Sequence, residues 1–352
     1  MNAFFASVEQ NVHPEWKNEP IIVCVFSGRT VGSGVVSSAS YDARKLSVKA
    51  GMPIVQAKQK CPQGHFVPVN HSIYSKISDQ IFTQLFGFSD AVEMASIDEA
   101  YADLSQKAQM DFLKAEQLMR SFQEKIKQEF HLGCSVGIAP NKLVAKMASD
   151  FQKPNGFTVV KQNEVQSFLD VLPVKCLLGV GPKTNELLEE KNIHLIGDLR
   201  GTSLSELVQW FGNARGNYFF QAARGVDESP LETNYEKQQR SSIWTLPRDT
   251  LDWMELKENV HVRAQELWDE TAGQGKFFTQ VSVIGVDIAL KQTTRSTTLH
   301  VPCVSVEQFL QEIEGLFHSL LSQTILPLRR VGIRAGGFAS PPKQKRLSEF
   351  LA

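Results

Sequence analysis

Two adjacent acidic residues are the strongest candidates for chemistry in this sequence. Asp98 and Glu99 join "MASI" to "AYADL", two apolar runs typical of paired strands in a hairpin. Adjacent carboxylates at a tight turn repel each other and weaken the sheet unless cations neutralise them. A solvated acidic turn is the plainer alternative. Because the flanking strands are apolar enough to be buried, we expect both carboxylates at the edge of a core.

Carboxylates at such an edge suit Mg²⁺. Hard cations prefer oxygen ligands, and in two-metal phosphoryl transfer two ions about 3.5–4 Å apart activate the attacking and leaving oxygens. A site of this kind normally uses three carboxylates, the third from a neighbouring strand. The pair therefore predicts part of a two-metal centre.

Three other side chains have the chemistry to bind phosphate. Tyr41 and Arg44 lie three apart in "SYDARK", hence on one helix face, and Lys153 precedes a "PNG" turn. An arginine binds phosphate through two hydrogen bonds, a tyrosine donates its hydroxyl, and a lysine supplies a point charge. For Tyr41 and Arg44 alone, a solvated helix face is the alternative.

A glycine-rich turn is a candidate contact for nucleic acid. Gly179 and Gly181 open "GVGPKT", which leads into a predicted helix carrying Lys183. Glycines let the backbone approach a phosphate closely, and a helix N-terminus favours an anion. A purely structural helix hairpin is the alternative. The spacing to "LLEEKNI" favours a helix-hairpin-helix that holds DNA backbone without reading its sequence.

The composition is that of a globular protein without a membrane span. The chain has 352 residues, of which 42% are apolar, and this length predicts roughly two to four domains. No apolar run is long enough to cross a bilayer, no signal peptide opens the chain, and the five cysteines form no CxxC pair. We therefore expect a reduced, cytoplasmic protein.

The net charge of −1 argues mildly against nucleic acid, because DNA-binding domains are usually basic. The C-terminal segment, however, distributes its charge unevenly. Acidic residues lie mostly on its predicted helices, whereas its predicted strands carry Lys291, Arg295, Arg329, Arg330 and Arg334. We expect a basic sheet face that can track phosphates despite the near-neutral total.

The order of predicted elements indicates an α+β fold with two small mixed units. Residues 72–138 read as helix, strand, strand, helix, strand, which one more strand in front would complete as a split β-α-β sandwich. Before them, "YDARKLSVKAG" reads as a helix that Gly51 ends. Residues 162–227 read as short helices and residues 228–238 as a polar linker. The segment 240–338 has the complete order β-α-β-β-α-β.

Together the motifs resemble the DinB branch of the Y-family, or lesion-bypass, DNA polymerases. The resemblance covers essentially the whole chain, and its motifs occur in the family's order: "NAFFASVEQ", "VCVFSGR", "SASYDARKLSVKAGMP", "ASIDEAYADL", "SVGIAPNKLVAKMASDFQKPNG", "LLGVGPKT" and "LRRVGIR". It implies a right-hand polymerase with a ferredoxin-like palm, small fingers, a helix-hairpin-helix thumb and an α/β little finger. The implied boundaries are palm 1–3 and 71–160, fingers 4–70, thumb 161–227, linker 228–238, little finger 239–340 and tail 341–352.

The resemblance also implies residue roles at matching positions. Asp98 and Glu99 match the palm carboxylates that hold two catalytic Mg²⁺ ions. Phe5, next to Phe4 in the nucleotide site, matches the steric gate that occupies the space of a ribose 2′-OH. The triphosphate ligands match Tyr41, Arg44 and Lys153, the small roof over the nascent pair matches Val25, Val35 and Gly51, and the DNA contacts include Gly179, Gly181, Lys183 and the four arginines named above. A small roof leaves room for a damaged template base at the expense of fidelity.

The implied activity is that of a DNA-templated DNA polymerase in DNA damage tolerance. It would add dNTPs to a primer 3′-OH with low fidelity and low processivity, as a monomer that binds primer–template DNA, dNTP and a sliding clamp, but no membrane. The tail "QKRLSEFL" resembles a clamp-binding motif, with Gln344, Leu347 and Phe350 in its three positions. The form is closer to that used with trimeric clamps than with the bacterial dimeric clamp.

One part of the family pattern lies ahead of this sequence. In the family, the segment matching "MNAFFASVEQ" follows a palm strand that ends in the third metal-binding Asp, which would directly precede Met1 here. Asn2 reads as a helix cap, is neutral, and is not taken as that ligand. The chain as written is therefore expected to be defective in metal binding, through an incomplete N-terminus.

Two other classes of protein share some of these features. A nucleotidyl cyclase-like enzyme has a palm-type two-metal fold, but the helix-hairpin-helix, the second α/β domain and the clamp-like tail argue against it. A non-catalytic DNA- and clamp-binding protein with a relic palm is compatible with the missing Asp. Primer extension with Mg²⁺ separates these classes from a polymerase.

Overall fold

The computed structural model describes residues 1–233 and 238–339 of the chain. The chain divides into two compact units, one of Met1–Val25 with Val35–Asn234 and the other of Phe26–Gly34 with Tyr235–Ala352. Within the described ranges, no helix is long and apolar enough to cross a membrane.

A small three-stranded sheet with helices opens the first unit. Its elements are α1 (Phe4–Val12), β1 (Ile21–Phe26), β2 (Gly34–Ala39), α2 (Tyr41–Lys45), α3 (Ile54–Lys60) and β3 (His65–Pro68). The strand order is β2-β1-β3, with β3 parallel to β1. Ile22 and Cys24 of β1 pack with Val36 and Ile54 in a small core, which explains why this central strand is apolar throughout.

The predicted helix over "YDARKLSVKAG" is shorter than expected. Ser40 caps α2 by accepting a hydrogen bond from the Ala43 amide, and the helix ends at Lys45. Ser47 has a φ of 63°, which a right-handed helix cannot accommodate. The chain instead turns back to β2, where the Gly51 amide donates to the Val36 carbonyl at 2.8 Å.

Residues 71–159 confirm the predicted order helix, strand, strand, helix, strand. They form α4 (His71–Phe88), β4 (Ala91–Met94), β5 (Ala100–Asp103), α5 (Phe112–Phe130) and β6 (Val136–Ile138), followed by α6 (Lys142–Phe151) and β7 (Phe157–Val159). β4 pairs antiparallel with β5, and β6 pairs parallel with β7. Over the described ranges these strands form two separate two-stranded sheets.

Helices α4 and α5 carry the apolar core behind these strands. Ile81 and Leu85 of α4 pack with Phe122 and Ile126 of α5, and all four are buried. Each such side chain stabilises the fold by roughly 1.5–3 kcal/mol through burial of its apolar surface.

A second core belongs to the helical segment that follows. It contains α7 (Val165–Asp170), α8 (Pro182–Glu190), α9 (Ile196–Gly201) and α10 (Leu204–Ala222), which is kinked at Gly212 with a φ of 77°. Leu169, Leu188 and Phe219 are buried between these helices. Two guanidinium nitrogens of Arg200 donate to the Asp170 carboxylate at 2.9 and 2.7 Å and so join α9 to α7.

The second unit confirms the predicted order β-α-β-β-α-β. Its elements are β8 (Gln239–Thr250), α11 (Trp253–Asp269), β9 (Phe277–Asp287), β10 (Gln292–Cys303), α12 (Val306–Gln323) and β11 (Leu328–Ala339). The strands are antiparallel in the order β10-β9-β11-β8. Val260 of α11 and Phe317 of α12 pack with Val281 and Val331 of the sheet, so both helices cover the same face.

The Asp170–Arg200 pair predicts a specific pH dependence of stability. Hydrogen bonds from Arg200 hold the pKa of Asp170 below its usual value. A depressed folded-state pKa adds stability above the unfolded pKa of about 3.9, and this stability is lost as the pH falls through the folded pKa. We expect Asp170→Asn to lower the free energy of unfolding in urea by an amount that is constant between about pH 8 and pH 5 and shrinks only below about pH 4.

Asp79→Asn is the matched control for this measurement, because Asp79 is exposed on α4. If Asp170→Asn lowers the free energy of unfolding by as much in acid as at neutral pH, the Asp170–Arg200 pair does not cause the pH dependence.

Candidate active site

Asp98 and Glu99 lie at the tip of the β4–β5 hairpin. The amides of Ala95 and Ser96 both donate to the Glu99 carbonyl at 3.0 Å, which closes the turn. The Ser96 hydroxyl also donates to the Asp98 carboxylate at 2.9 Å. Serine and aspartate favour such local side-chain bonds, so the sequence "SID" suits the turn. Both carboxylates are half-buried, as expected for the edge of a core.

A chain of alternating charges surrounds the Glu99 carboxylate. The Lys146 ammonium of α6 forms ion pairs with Glu99 and, at 3.3 Å, with Asp150 one helical turn on. Lys153 pairs with the other oxygen of Asp150. Burial lowers the pKa of Lys146, but its contacts with Glu99 and Asp150 outweigh burial and raise it, so the ammonium stays charged.

Lys146 and Asp150 were not predicted as site residues. Their spacing of four in "KMASD" places both on one helix face, a signal that is present in the sequence. The sequence alone does not indicate that this face meets the β4–β5 turn.

The donor set at the hairpin tip suits a hard cation, because it consists of carboxylate oxygens. Residues 1–233 and 238–339 contain no group of three or more His, Cys, Asp or Glu side chains that could hold a metal ion. Asp98 and Glu99 place two adjacent carboxylates at the hairpin tip, and the metal centre expected there stays a prediction. The third carboxylate, expected ahead of Met1, stays a prediction.

Asn2 does not cap α1. The N-cap position is Ala3, which has a φ of 44° and offers no side-chain hydrogen bond. The Asn2 amide instead donates to Asn155 at 2.8 Å and accepts from the Ser135 hydroxyl at 3.0 Å. The prediction of an Asn2 cap was wrong because long-range partners engage this side chain.

Phe5 is held by a stack of aromatic rings. Its ring lies 4.2 Å from the Tyr74 ring at an interplanar angle of 18°, and His71 meets it edge-on at 6.1 Å. Tyr74 is itself fully buried and donates its hydroxyl to the Glu9 carboxylate of α1 at 2.5 Å. The Phe5 ring is only half-buried, so part of its surface remains accessible.

Phe4 has a different environment from Phe5. Its side chain is only 3% exposed and packs into the core beside Tyr74. Consecutive residues of α1 point in different directions, so Phe5 reaches the surface and the Phe4 ring does not. The place of Phe4 in the nucleotide site stays a prediction.

Tyr41 and Arg44 share a face of α2, as their spacing predicts. The Arg44 guanidinium lies 4.9 Å from the centre of the Tyr41 ring. Its Nε donates to the Ala39 carbonyl at 2.9 Å, which fixes the side chain on the end of β2. Arg44 is exposed and Tyr41 is half-buried.

The three residues predicted to form a roof lie near the ends of β1 and β2. Val25 and Val35 are 46% and 45% exposed, which is unusual for valines in a sheet. Gly51 has a φ of +83° and no atom within 4 Å of an added Cβ. All three positions therefore present small, accessible groups.

The glycine turn before α8 has the geometry that "GVGPKT" predicts. Gly179 has a φ of +87°, and an added Cβ would lie 3.1 Å from the Tyr218 ring. The Tyr218 hydroxyl donates to the Leu178 carbonyl at 2.7 Å and so ties the turn to α10. Gly181 and Lys183 are exposed at the start of α8.

In the second unit, Arg330 and Arg334 share the sheet face that the helices leave open. Val331 and Ile333 of β11 point into the helix-covered core, so Arg330 and Arg334 point to the opposite face. A bulge between Leu328 and Arg330 interrupts the register. Because Leu328 also belongs to the core, the bulge leaves both Arg329 and Arg330 outside it.

Arg295 does not belong to this face. It pairs across the sheet with Val283, which is fully buried in the helix-covered core. Its guanidinium donates to the Thr294 carbonyl at 3.1 Å and contacts the Gln323 side chain of α12. The prediction that Arg295 lies on the basic sheet face was wrong because strand residues alternate between faces, and the register places Arg295 on the helix side.

Two serines on the open face were not predicted. Ser282 pairs with Arg334 across β9 and β11, and its hydroxyl accepts from the Ser296 hydroxyl at 2.9 Å. The Nε of Arg334 is buried and has no hydrogen-bond partner within the described ranges.

The predicted clamp-binding residues, Gln344, Leu347 and Phe350, lie outside the described residues.

Family models match three successive segments of the chain. Residues 1–150 match the impB/mucB/samB family, residues 175–227 match the thumb domain of DNA polymerase iota, and residues 237–348 match the impB/mucB/samB family C-terminal domain. The chain is 33% identical to DNA polymerase IV of Nitrosopumilus maritimus, over 99% of this chain and 96% of the relative. It is 35% identical to DNA polymerase IV 1 of Methanosarcina mazei, over 99% and 97%.

Solved structures show the same fold. A Y-family polymerase chimera, Dbh-Dpo4(243-245)-Dbh, superposes with a TM-score of 0.91 at 32% identity, over 96% of this chain and 97% of that one. DinB from Sulfolobus solfataricus superposes with a TM-score of 0.66 at 31% identity, over 97% and 98%. The fold is thus that of a DNA polymerase that transfers nucleotidyl groups. The chain belongs to the Y family of DNA polymerases, in its DNA polymerase IV (DinB) branch.

Proposed function

We propose that Asp98 and Glu99 are the groups of this polymerase that hold two Mg²⁺ ions during addition of a dNTP to a primer 3′-OH. The observation that carries the proposal is their position, half-buried at one hairpin tip and bordered by Lys146. Bound Mg²⁺ would supply the charge that activates the attacking oxygen and stabilises the leaving group.

Lys146 has a positioning role in this proposal. Its two ion pairs orient the Glu99 carboxylate and hold Asp150 on the other side. Lys153 also forms an ion pair with Asp150. Its ammonium group therefore lies at the same edge, where it would bind a phosphate oxygen. Tyr41 and Arg44 supply a hydroxyl and a guanidinium for the rest of the triphosphate.

Phe5 is proposed to select the sugar. Its stack on Tyr74, and the bond from Tyr74 to Glu9, prevent the ring from moving aside for a ribose 2′-OH. Val25, Val35 and Gly51 are proposed as the roof over the nascent pair, and their small size would tolerate altered template bases.

The remaining parts of the proposal concern DNA and protein partners. Gly179, Gly181 and Lys183 would hold the DNA backbone, as would Arg329, Arg330 and Arg334 of the open sheet face. Gln344, Leu347 and Phe350 would bind a sliding clamp, and the protein would act as a cytoplasmic monomer.

Primer extension tests the carboxylate assignment. We expect Asp98→Ala to lower the rate of dNTP addition with Mg²⁺ at least about a thousandfold, because it removes metal oxygen ligands. Asp79→Ala, on the exposed side of α4, should retain the parent rate. Extension by Asp98→Ala at more than a tenth of the parent rate would rule the assignment out.

Sugar discrimination tests the Phe5 assignment. We expect Phe5→Ala to raise the efficiency of ribonucleotide relative to deoxyribonucleotide addition about a hundredfold, since the 2′-OH would gain the space of the ring. Phe4→Leu changes the neighbouring buried ring and should leave this ratio unaltered. An unchanged ratio in Phe5→Ala would show that another residue selects the sugar.

The strand register predicts which arginines bind DNA. We expect Arg330→Ala to weaken primer–template binding and to reduce the slope of log K against log salt by about 1, because one phosphate contact is lost. Arg295→Ala is the matched control on the helix side and should leave the slope unchanged. Equal losses in both variants would contradict the proposed face.

A further inference from the structure

The segment that follows α10 is held by side chains rather than by regular secondary structure. Residues 225–232, which we call the strap, belong to neither a helix nor a strand. The backbone groups of such a segment need other partners, because a polar group removed from water without one is costly. Three consecutive residues at the start of α6 and one residue of β4 bind the strap.

Asn141 and Leu143 bind the first half of the strap. The Asn141 side-chain amide donates to the Gly225 carbonyl at 2.8 Å. The backbone amide of Leu143, in the first turn of α6, donates to the Asp227 carboxylate at 3.0 Å. Amides in the first turn of a helix have no partner within the helix and favour a negative charge. Asp227 of the strap therefore stabilises the helix that carries Lys146.

Lys142 and Glu93 bind each other and the second half of the strap. The Lys142 ammonium donates to the Glu93 carboxylate at 2.7 Å and to the Pro230 carbonyl at 3.1 Å. The same oxygen of Glu93 accepts from the Glu232 amide at 2.8 Å. The Lys142 and Glu93 side chains are only 17% and 15% exposed, so solvent screens their attraction little. This ion pair, which we call the clasp, thus holds the strap at two points.

Lys142 also contacts both strands of the β4–β5 hairpin. Glu93 lies on β4 and is the cross-strand partner of Tyr101 on β5. The Lys142 ammonium lies 5.3 Å from the centre of the Tyr101 ring, which is within the range of a cation–π contact. One helical turn further on, Lys146 pairs with Glu99 at the hairpin tip. Two lysines of α6 therefore hold the hairpin, and the first of them also holds the strap.

We propose that Lys142 and Glu93 are positioning residues, which join the strap to the β4–β5 hairpin and so keep the Asp98 and Glu99 carboxylates in place for nucleotide addition. The inference rests on the proposed function of those two carboxylates. An exposed ion pair on a helix surface would contribute little. This pair is largely buried and binds two further backbone groups, so losing one partner leaves a charge unpaired and frees the strap.

Amide hydrogen exchange on the full chain, without DNA or nucleotide, tests the clasp apart from catalysis. The reporters are the Glu232 amide, which binds Glu93, and the Ala95 and Ser96 amides, which close the hairpin turn. We expect Lys142→Met to speed exchange at all three at least about tenfold, because the strap and the hairpin lose a shared partner.

Lys125→Met is the matched control for the exchange measurement. It replaces a lysine that pairs with Glu129 at 3.8 Å on α5, away from the strap and the hairpin in the chain. Exchange at the three reporter amides should stay within about twofold of the parent. Parent-like exchange in Lys142→Met, or equal acceleration by both variants, would contradict the clasp.

Primer extension separates positioning from nucleotide binding. We expect Lys142→Met to lower kcat for dNTP addition at least about tenfold and to leave KM for dNTP within about twofold, because displaced carboxylates impair the chemical step. Glu93→Gln is the conservative variant, since its amide oxygen can still accept from both donors, and it should keep kcat within about threefold. A higher KM at parent kcat in Lys142→Met would rule out a positioning role.

A double variant separates loss of the clasp from the cost of an unpaired charge. Lys142→Met combined with Glu93→Leu removes both charged groups, so the fold keeps neither of them unpaired. We expect its kcat to stay as low as that of Lys142→Met, because the strap is still free. Recovery of the parent kcat would overturn the proposal, since the unpaired carboxylate alone would then explain the loss.

The two measurements also distinguish this inference from the proposed function. If Asp98→Ala retains extension, the carboxylate assignment fails, and the positioning role fails with it, whereas faster exchange in Lys142→Met would still establish the clasp. If Asp98→Ala abolishes extension and Lys142→Met keeps the parent kcat, only the positioning role is wrong.

Discussion

Repulsion between carboxylates is the constraint on which the proposed active site depends. Asp98 and Glu99 are adjacent, and Asp150 lies near enough for Lys146 to bond to both Glu99 and Asp150. Three half-exposed acids at one edge would push the hairpin away from α6 if no cation separated them. Lys146 and Lys153 lie between these acids. Their positive charges offset the repulsion and allow α6 to pack beside the β4–β5 hairpin. Mg²⁺ would bind here in the function that we propose.

A second dependence links the Phe5 ring, proposed to select the sugar, to the interior. Phe5 rests on Tyr74, Tyr74 is fully buried, and its hydroxyl needs the Glu9 carboxylate because a buried polar group without a partner is costly. The position of a surface ring is therefore fixed by a hydrogen bond between α1 and α4. The same helix α4 also lines the groove between β5 and β6, with Ile81 and Leu85.

In the second unit, the strand register decides which side chains lie on each face of the sheet. β11 alternates core residues with residues of the open face, among them Arg330 and Arg334, and the bulge before Arg330 leaves Arg329 outside the core. Arg295 has the same chemistry as its neighbours but lies on the helix side, against α12. A charge balance near zero thus conceals a face with cationic side chains, as the uneven distribution of charge along the sequence indicated.

The sequence by itself determined the order of elements, the α+β class, the hairpin that carries Asp98 and Glu99, and the helix face shared by Tyr41 and Arg44. These features depend on local periodicity and turn chemistry, which neighbouring residues encode. The tertiary structure alone decided that Asn2 bonds to Asn155 rather than caps α1, that Phe4 is buried, and that Arg295 faces α12. It also brought Lys146 to Glu99. Each of these contacts joins residues distant in the chain, and their geometry depends on packing and strand register, which no local pattern specifies.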